Sequence, residues 1–172
     1  TAVLSQGTLP EVGEGVTAVE VAHVRKAMAL ASAAASGHPS RKVPTVGITG
    51  TNGKTTTCAM VEAALAGQGI EAGVMGTINA RLGQRSWPAS LTTPEAPALQ
   101  RQAAEMVRLG AGALVMEVSS HGLELHRATG TSYAVVAFSN LSQDHLDFHD
   151  TMEAYGEAKL RLFVEELEAS SS

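Results

Sequence analysis

Gly47-Ile48-Thr49-Gly50-Thr51-Asn52-Gly53-Lys54-Thr55 places glycines at positions 47, 50 and 53 and closes on a lysine followed by a threonine. A β-branched run, Pro44 to Thr49, leads into it, and a helical pattern, Lys54 to Ala66, leads out. A glycine-rich turn between strand and helix aims successive backbone N–H groups at a phosphate, and the helix N-terminus adds its positive dipole end. Lys54 would neutralise the outer phosphates, and the Thr55 hydroxyl would ligate Mg²⁺. The strict phosphate-loop pattern asks for Gly at position 48, where this chain has Ile, so the loop is a variant. The alternative is a glycine-rich turn with a chance Lys-Thr; strand, turn and helix falling in register favour phosphate binding.

Three further segments carry chemistry. Glu117 ends the apolar run Ala113-Leu114-Val115-Met116, at the carboxyl end of a predicted strand, the edge where open α/β sheets bind ligands. Its carboxylate could reach a Mg²⁺ held by Thr55 and a nucleotide, or simply pair with a nearby base. Ser119, Ser120 and His121 follow, but without a nucleophile-elbow motif they do not make a serine hydrolase. The stretch Asn140 to His149 packs two histidines and two aspartates, His145 and His149 with Asp144 and Asp147, into six residues after another predicted strand. Such ligands suit Mg²⁺ or Mn²⁺, and a capped polar helix start is the alternative. Lys159 shares a helix face with Met152, Tyr155, Leu162 and Phe163, while Glu157, Arg161 and Glu165 point outward. A lysine on an apolar stripe either snorkels to water or stays desolvated with a lowered pKa. A neutral amine of the second kind could take up CO₂ as a carbamate, an anionic metal ligand.

The elements that must position these residues follow from periodicity. Ala2 to Leu4 and Thr17 to Val21 read as strands around a glycine- and proline-rich loop. Val24 to Ser36 reads as a helix stopped by Gly37 and Pro39, and a boundary falls near residues 37–42. Beyond it, strands at Pro44 to Thr49, Ala72 to Thr77, Ala113 to Val118 and Tyr133 to Phe138 alternate with helices at Lys54 to Ala66, Pro94 to Leu109 and Thr151 to Leu167. A turn at Gly83 makes a small hairpin, and the last two strands read as fully buried. The expected fold is α/β, a doubly wound, mostly parallel sheet.

Composition excludes several classes. With 44% hydrophobic and 17% charged residues in 172, the chain can bury a core and is not disordered. No apolar run approaches the roughly 20 residues that span a bilayer. The single cysteine, Cys58, excludes an internal disulfide framework and a cysteine-based zinc site. With no signal-peptide pattern, a reducing cytoplasm is the expected compartment. The net charge of −5 is uneven: residues 141–172 carry −6 and residues 1–140 carry +1, with no basic patch for nucleic acid.

Taken together the segments resemble the Mur ligases, ATP-dependent amide-forming enzymes of bacterial cell-wall synthesis, most closely the MurE type. The resemblance is carried by Gly37-His38-Pro39-Ser40, Thr49 to Thr57 (TGTNGKTTT), Leu91 to Glu95 (LTTPE), Met116 to Leu123 (MEVSSHGL), Asn140 to His149 (NLSQDHLDFH) and Glu157-Ala158-Lys159, six segments in the family's order. It implies an ATP cradle of Gly50, Thr51, Asn52, Gly53, Lys54, Thr55, Thr56 and Asn140. It implies two Mg²⁺ sites, one on Thr55 and Glu117, the second on His145 and a carbamate of Lys159. It places UDP-N-acetylmuramoyl-L-alanyl-D-glutamate against Thr92, Thr93, Ser119 and Arg127. Many relatives carry a substrate-touching Gln at position 125; this chain has Leu, so that contact does not carry over.

The implied chemistry makes an acyl phosphate from the D-Glu carboxylate and ATP, then an amide with meso-diaminopimelate or lysine, with Lys54, His145 and Lys159 as the catalytic set. Residues 1–36 are expected to be the tail of an amino-terminal UDP-binding domain and 37–172 part of a central ATP-binding domain. The carboxy-terminal domain is expected to be absent, the piece alone a poor ligase, and the protein a monomer in the bacterial cytoplasm. A nucleotide-binding fragment without turnover and a ligase of the folylpolyglutamate synthetase type are the alternatives.

Overall fold

The computed structural model describes residues 2–144 and 146–167. In chain order these form β1 (Ala2–Ser5), β2 (Thr17–Glu20), α1 (Val24–Ala35), a 3₁₀ turn (Pro39–Arg41), β3 (Thr45–Thr49), α2 (Lys54–Ala66), β4 (Ala72–Met75), β5 (Asn79–Leu82), β6 (Arg85–Pro88), α3 (Ala96–Arg108), β7 (Ala113–Glu117), α4 (Ser120–Glu124), β8 (Val135–Phe138), α5 (Leu146–His149) and α6 (Met152–Arg161). A π-helical turn, Leu162–Glu166, extends α6.

Six strands make one sheet in the order β6-β5-β4-β7-β3-β8. The four from β4 to β8 run parallel, and the β5–β6 hairpin adds two antiparallel strands at one edge. From β3 the chain crosses past β7 to β4, returns to β7, then crosses β3 to reach β8. This reversal beside β3 is where an open α/β sheet leaves a crevice at its carboxyl ends. Thr49, Glu117 and Phe138 end their strands along that edge.

Alternation along each strand fills two layers. Leu114 and Met116 of β7 pack with Leu99 and Met106 of α3. Ala113 and Val115 face the other way, joining Ile48 and Cys58. One face of α3 is buried, at Leu99, Ala103 and Met106. Helix α1 lies against α3, its Ala29 and Ala33 buried and Arg25 paired with Glu95 ahead of α3.

Expectations for the last strand and the final helix are corrected. The last strand begins at Val135 rather than Tyr133, and it is not fully buried: Val135 is 54% and Phe138 38% exposed. Among the described residues β8 has a partner, β3, on one side alone, so its outer edge and half its side chains lack cover. The final helix does not run uniformly to Leu167 but widens into the π turn after Arg161. Helix α4 lay inside a stretch read only as chemistry: five residues with one apolar side chain, Leu123, give no readable period.

Candidate functional site: a phosphate loop facing a buried carboxylate

The loop Gly50 to Gly53 joins β3 to α2 through two glycines in positive φ, +138° at Gly50 and +83° at Gly53. Gly50 has a second constraint, since a Cβ there would stand 2.0 Å from Ser139 Oγ. The loop is clamped from the strand next door. Thr51 N–H donates to Asn140 O (2.8 Å), Asn52 N–H to Asn140 Oδ1 (3.1 Å), and Asn140 Nδ2 to Asn52 O (3.0 Å). Asn140 thus holds the loop's backbone, a role that brings the end of β8 to the end of β3.

Thr51 is the second anchor. Its hydroxyl donates to Ser142 O (3.2 Å) and accepts from Ser142 N–H (3.0 Å) and Tyr155 O–H (3.1 Å). One side chain therefore ties the loop both to the segment after β8 and to α6.

Lys54 folds back over the loop, donating to Gly50 O and Thr51 O, both at 2.8 Å. Burial lowers its pKa, and Glu117 and Asp144 oppose that shift. Thr55 donates from its hydroxyl to Glu117 Oε1 at 2.9 Å. Thr56 stands exposed on the first turn of α2.

Glu117 is 3% exposed and, among the described residues, has no ion pair. Thr77 donates to it twice, N–H to Oε1 (3.0 Å) and O–H to Oε2 (2.9 Å). A buried carboxylate needs either a cation or several donors. Here three hydroxyl and amide donors hold it, with no direct ion pair among the described residues, next to a threonine at a helix N-terminus. Mg²⁺ takes one or two protein oxygens and completes its shell with phosphate and water, and this pair matches that donor set.

Lys159 is 1% exposed. Its Nζ donates to Gly50 O at 3.0 Å and lies 4.2 Å from the centre of the Tyr155 ring. Burial, then the charge of Lys54, brings its pKa down to about 8. Of the two readings of this lysine, the desolvated one holds; it does not snorkel. The expected second metal ligand, His145, lies outside the described residues.

The residues expected to grip the acid substrate form an adjoining cluster. Thr93 is fully buried; its hydroxyl donates to Glu117 O (3.1 Å), accepts from Ser119 N–H (2.9 Å) and lies 3.1 Å from Ser119 Oγ. Ser119 caps α4, accepting from Gly122 N–H at 3.0 Å. Arg127 is in ion-pair contact with Glu95 at 2.9 Å, and its Nη1 approaches Thr93 O at 3.4 Å. Thr92 meets the Thr77 hydroxyl at 3.0 Å. Thr77, Ser142 and Tyr155 were missed at the level of sequence. Thr77 ends the stretch read from sequence as a strand, Ala72 to Thr77, but β4 stops at Met75, beside β7, and Thr77 lies in the turn that follows.

The Mur ligase middle domain family model matches residues 48–171, which contain the phosphate loop, Glu117, Asn140 and Lys159. The chain belongs to the Mur ligase family.

Its similarity extends to curated Mur ligases. It is 50% identical over 161 residues to the UDP-N-acetylmuramoyl-L-alanyl-D-glutamate–2,6-diaminopimelate ligase of Geobacter metallireducens, covering 94% of this chain and 32% of that protein. A solved structure of a ligase of that name superposes with a TM-score of 0.75 at 33% identity, over 90% of this chain and 31% of the other. The folylpolyglutamate synthase of Mycobacterium tuberculosis, complexed with ADP and AMPPCP, reaches a TM-score of 0.64 at 18% identity, over 78% of this chain and 37% of the other, a likeness of fold. The chain spans about a third of the length of the curated Mur ligases it matches.

Proposed function

We propose that this chain supplies the ATP-binding part of a ligase that joins a diamino acid, diaminopimelate as in the named relatives, to UDP-N-acetylmuramoyl-L-alanyl-D-glutamate in bacterial peptidoglycan precursor synthesis. The observation that carries the proposal is the contact of Thr55 Oγ1 with Glu117 Oε1, 2.9 Å, directly beneath a phosphate loop. The 50% identity with a diaminopimelate ligase separates this reading from that of a folate ligase.

The chain's residues divide the work as follows. The amides of Gly53 to Thr55, at the N-terminus of α2, receive the phosphates, while those of Thr51 and Asn52 hold the loop to Asn140. Lys54, released from Gly50 O and Thr51 O, turns its ammonium to the outer phosphate, where charge builds as a carboxylate approaches. Thr55 and Glu117 would hold Mg²⁺, which supplies charge neutralisation and Lewis-acid polarisation of the γ-phosphate. The D-Glu carboxylate oxygen bonds to the γ-phosphorus and ADP leaves. The amine of the diamino acid then attacks the acyl carbon and displaces phosphate, losing a proton. Thr92, Thr93, Ser119 and Arg127 would orient the acid for the first of these steps.

Lys159, depressed to about 8, has the free-amine fraction that carbamate formation with CO₂ requires. As an anion it would be repelled by the Gly50 carbonyl and drawn to Lys54, so the modification would reverse its present contact. With His145 it would make the second Mg²⁺ site.

Phosphate release by the complete protein containing this chain tests the assignment. It should require ATP, Mg²⁺, the UDP-muramoyl-dipeptide and diaminopimelate together, and folate substrates should not replace the dipeptide. Turnover with a folate in its place would overturn the proposal.

A further inference from the structure

Thr77 lies outside the six motif segments of the sequence, yet it makes two of the three side-chain or amide donations to Glu117. Its hydroxyl has one proton. Because a carboxylate can only accept, that proton goes to Glu117 Oε2 at 2.9 Å, and the 3.0 Å contact with Thr92 must run from the Thr92 hydroxyl to Thr77 Oγ1. A directed chain results: Thr92 O–H to Thr77 O–H to Glu117. The Thr77 amide fixes the other oxygen at 3.0 Å. Gly76 narrows the space further, since a Cβ there would lie 2.2 Å from Glu117 Oε1. The turn after β4 is therefore shaped around this carboxylate from backbone and side chain together.

We propose that Thr77 is a positioning residue: it holds Glu117 in the orientation that receives Mg²⁺ and connects that orientation to Thr92, on the segment facing the acid substrate. The inference rests on the assignment of Glu117 and Thr55 as metal ligands. Without the hydroxyl, Oε2 loses a charge-assisted bond, and the carboxylate is free to rotate about its last torsion away from Thr55. The consequence is a weaker Mg²⁺-dependent component of nucleotide binding, while contacts of phosphate with the loop amides persist.

Calorimetric titration of the complete protein with AMPPCP, at several Mg²⁺ concentrations, tests this in wild type, Thr77→Val and Thr77→Ser. Valine keeps the shape and removes the hydroxyl; serine restores it. Thr77→Val should weaken nucleotide affinity about tenfold at saturating wild-type Mg²⁺, leave metal-free affinity within about twofold, and shift the Mg²⁺ midpoint upward. Thr77→Ser should return both to near wild type. Equal Mg²⁺ dependence in wild type and Thr77→Val would overturn the role of Thr77 alone. Wild-type binding that ignores Mg²⁺ would overturn the metal assignment and this proposal with it. A loss in Thr77→Val that extends equally to metal-free binding would show a structural role only, and would also overturn it.

Discussion

Lys54 and Lys159 donate to the same backbone oxygen, the carbonyl of Gly50, at 2.8 and 3.0 Å. Two ammonium groups converge there because the Gly50 carbonyl turns inward, while the next two amides of the loop, Thr51 and Asn52, are given to Asn140. Burial of Lys159, and after it the charge of Lys54, makes its ammonium costly and brings its pKa down to about 8.

That cost has a pH signature. Below about pH 8 Lys159 is charged in folded and unfolded chains alike, and folding carries the full desolvation penalty. Between 8 and its ordinary value of 10.5 the unfolded chain binds the extra proton, so stability rises with pH across that window. Lys159→Met should stabilise the fold at pH 7 by about 1–3 kcal/mol, because Gly50 O keeps Lys54 as donor. The gain should shrink as pH climbs toward 10.5, and ligase activity should be lost. Thermal melts from pH 6 to 10 measure this; a destabilised variant at pH 7 would show that the ammonium is a net favourable partner of Gly50 and Tyr155.

Thr51→Val removes the hydroxyl that joins Ser142 and Tyr155. It leaves the buried Tyr155 O–H and the more open Ser142 N–H without their acceptor, a loss of about 1–3 kcal/mol. Nucleotide affinity should fall with it, because the loop amides lose their register. Denaturant unfolding together with a nucleotide titration checks both, and a variant with wild-type stability would remove Thr51 as an anchor.

Gly50→Ala meets two obstacles, a φ of +138° and a Cβ placed 2.0 Å from Ser139 Oγ. A destabilisation of about 2–4 kcal/mol follows. Adding Ser139→Ala removes the nearest atom but neither the strained φ nor the approach of Asn140 N at 3.0 Å. The double variant should therefore recover only part of the loss. Full recovery would place the whole constraint on the serine.

Much of this site was legible beforehand because it follows local rules. The loop glycines, the Lys-Thr pair and the strand-end Glu117 sit at fixed offsets from β3, α2 and β7, and periodicity located those elements. Lys159 was legible for the same reason, a charged residue on the stripe shared by Tyr155 and Leu162, both now found fully buried. What stayed hidden depends on contacts between distant segments. Nothing in the local sequence says that Asn140 clamps Asn52, 88 positions away, or that Thr77 reaches Glu117, 40 positions away. Edge and centre were also unreadable from composition. Val135-Val136-Ala137-Phe138 has the apolar content of a central strand, yet its place at the end of the strand order leaves it half exposed.

The central claim is that the loop and Glu117 form one Mg²⁺-nucleotide site. Its most direct test is calorimetric titration of the protein with AMPPCP, with and without Mg²⁺, beside Lys54→Ala and Glu117→Gln. The account predicts Mg²⁺-enhanced binding in wild type, loss of most binding in Lys54→Ala, and retention of only the Mg²⁺-independent part in Glu117→Gln. Binding by Glu117→Gln that still strengthens with Mg²⁺ as in wild type would contradict it.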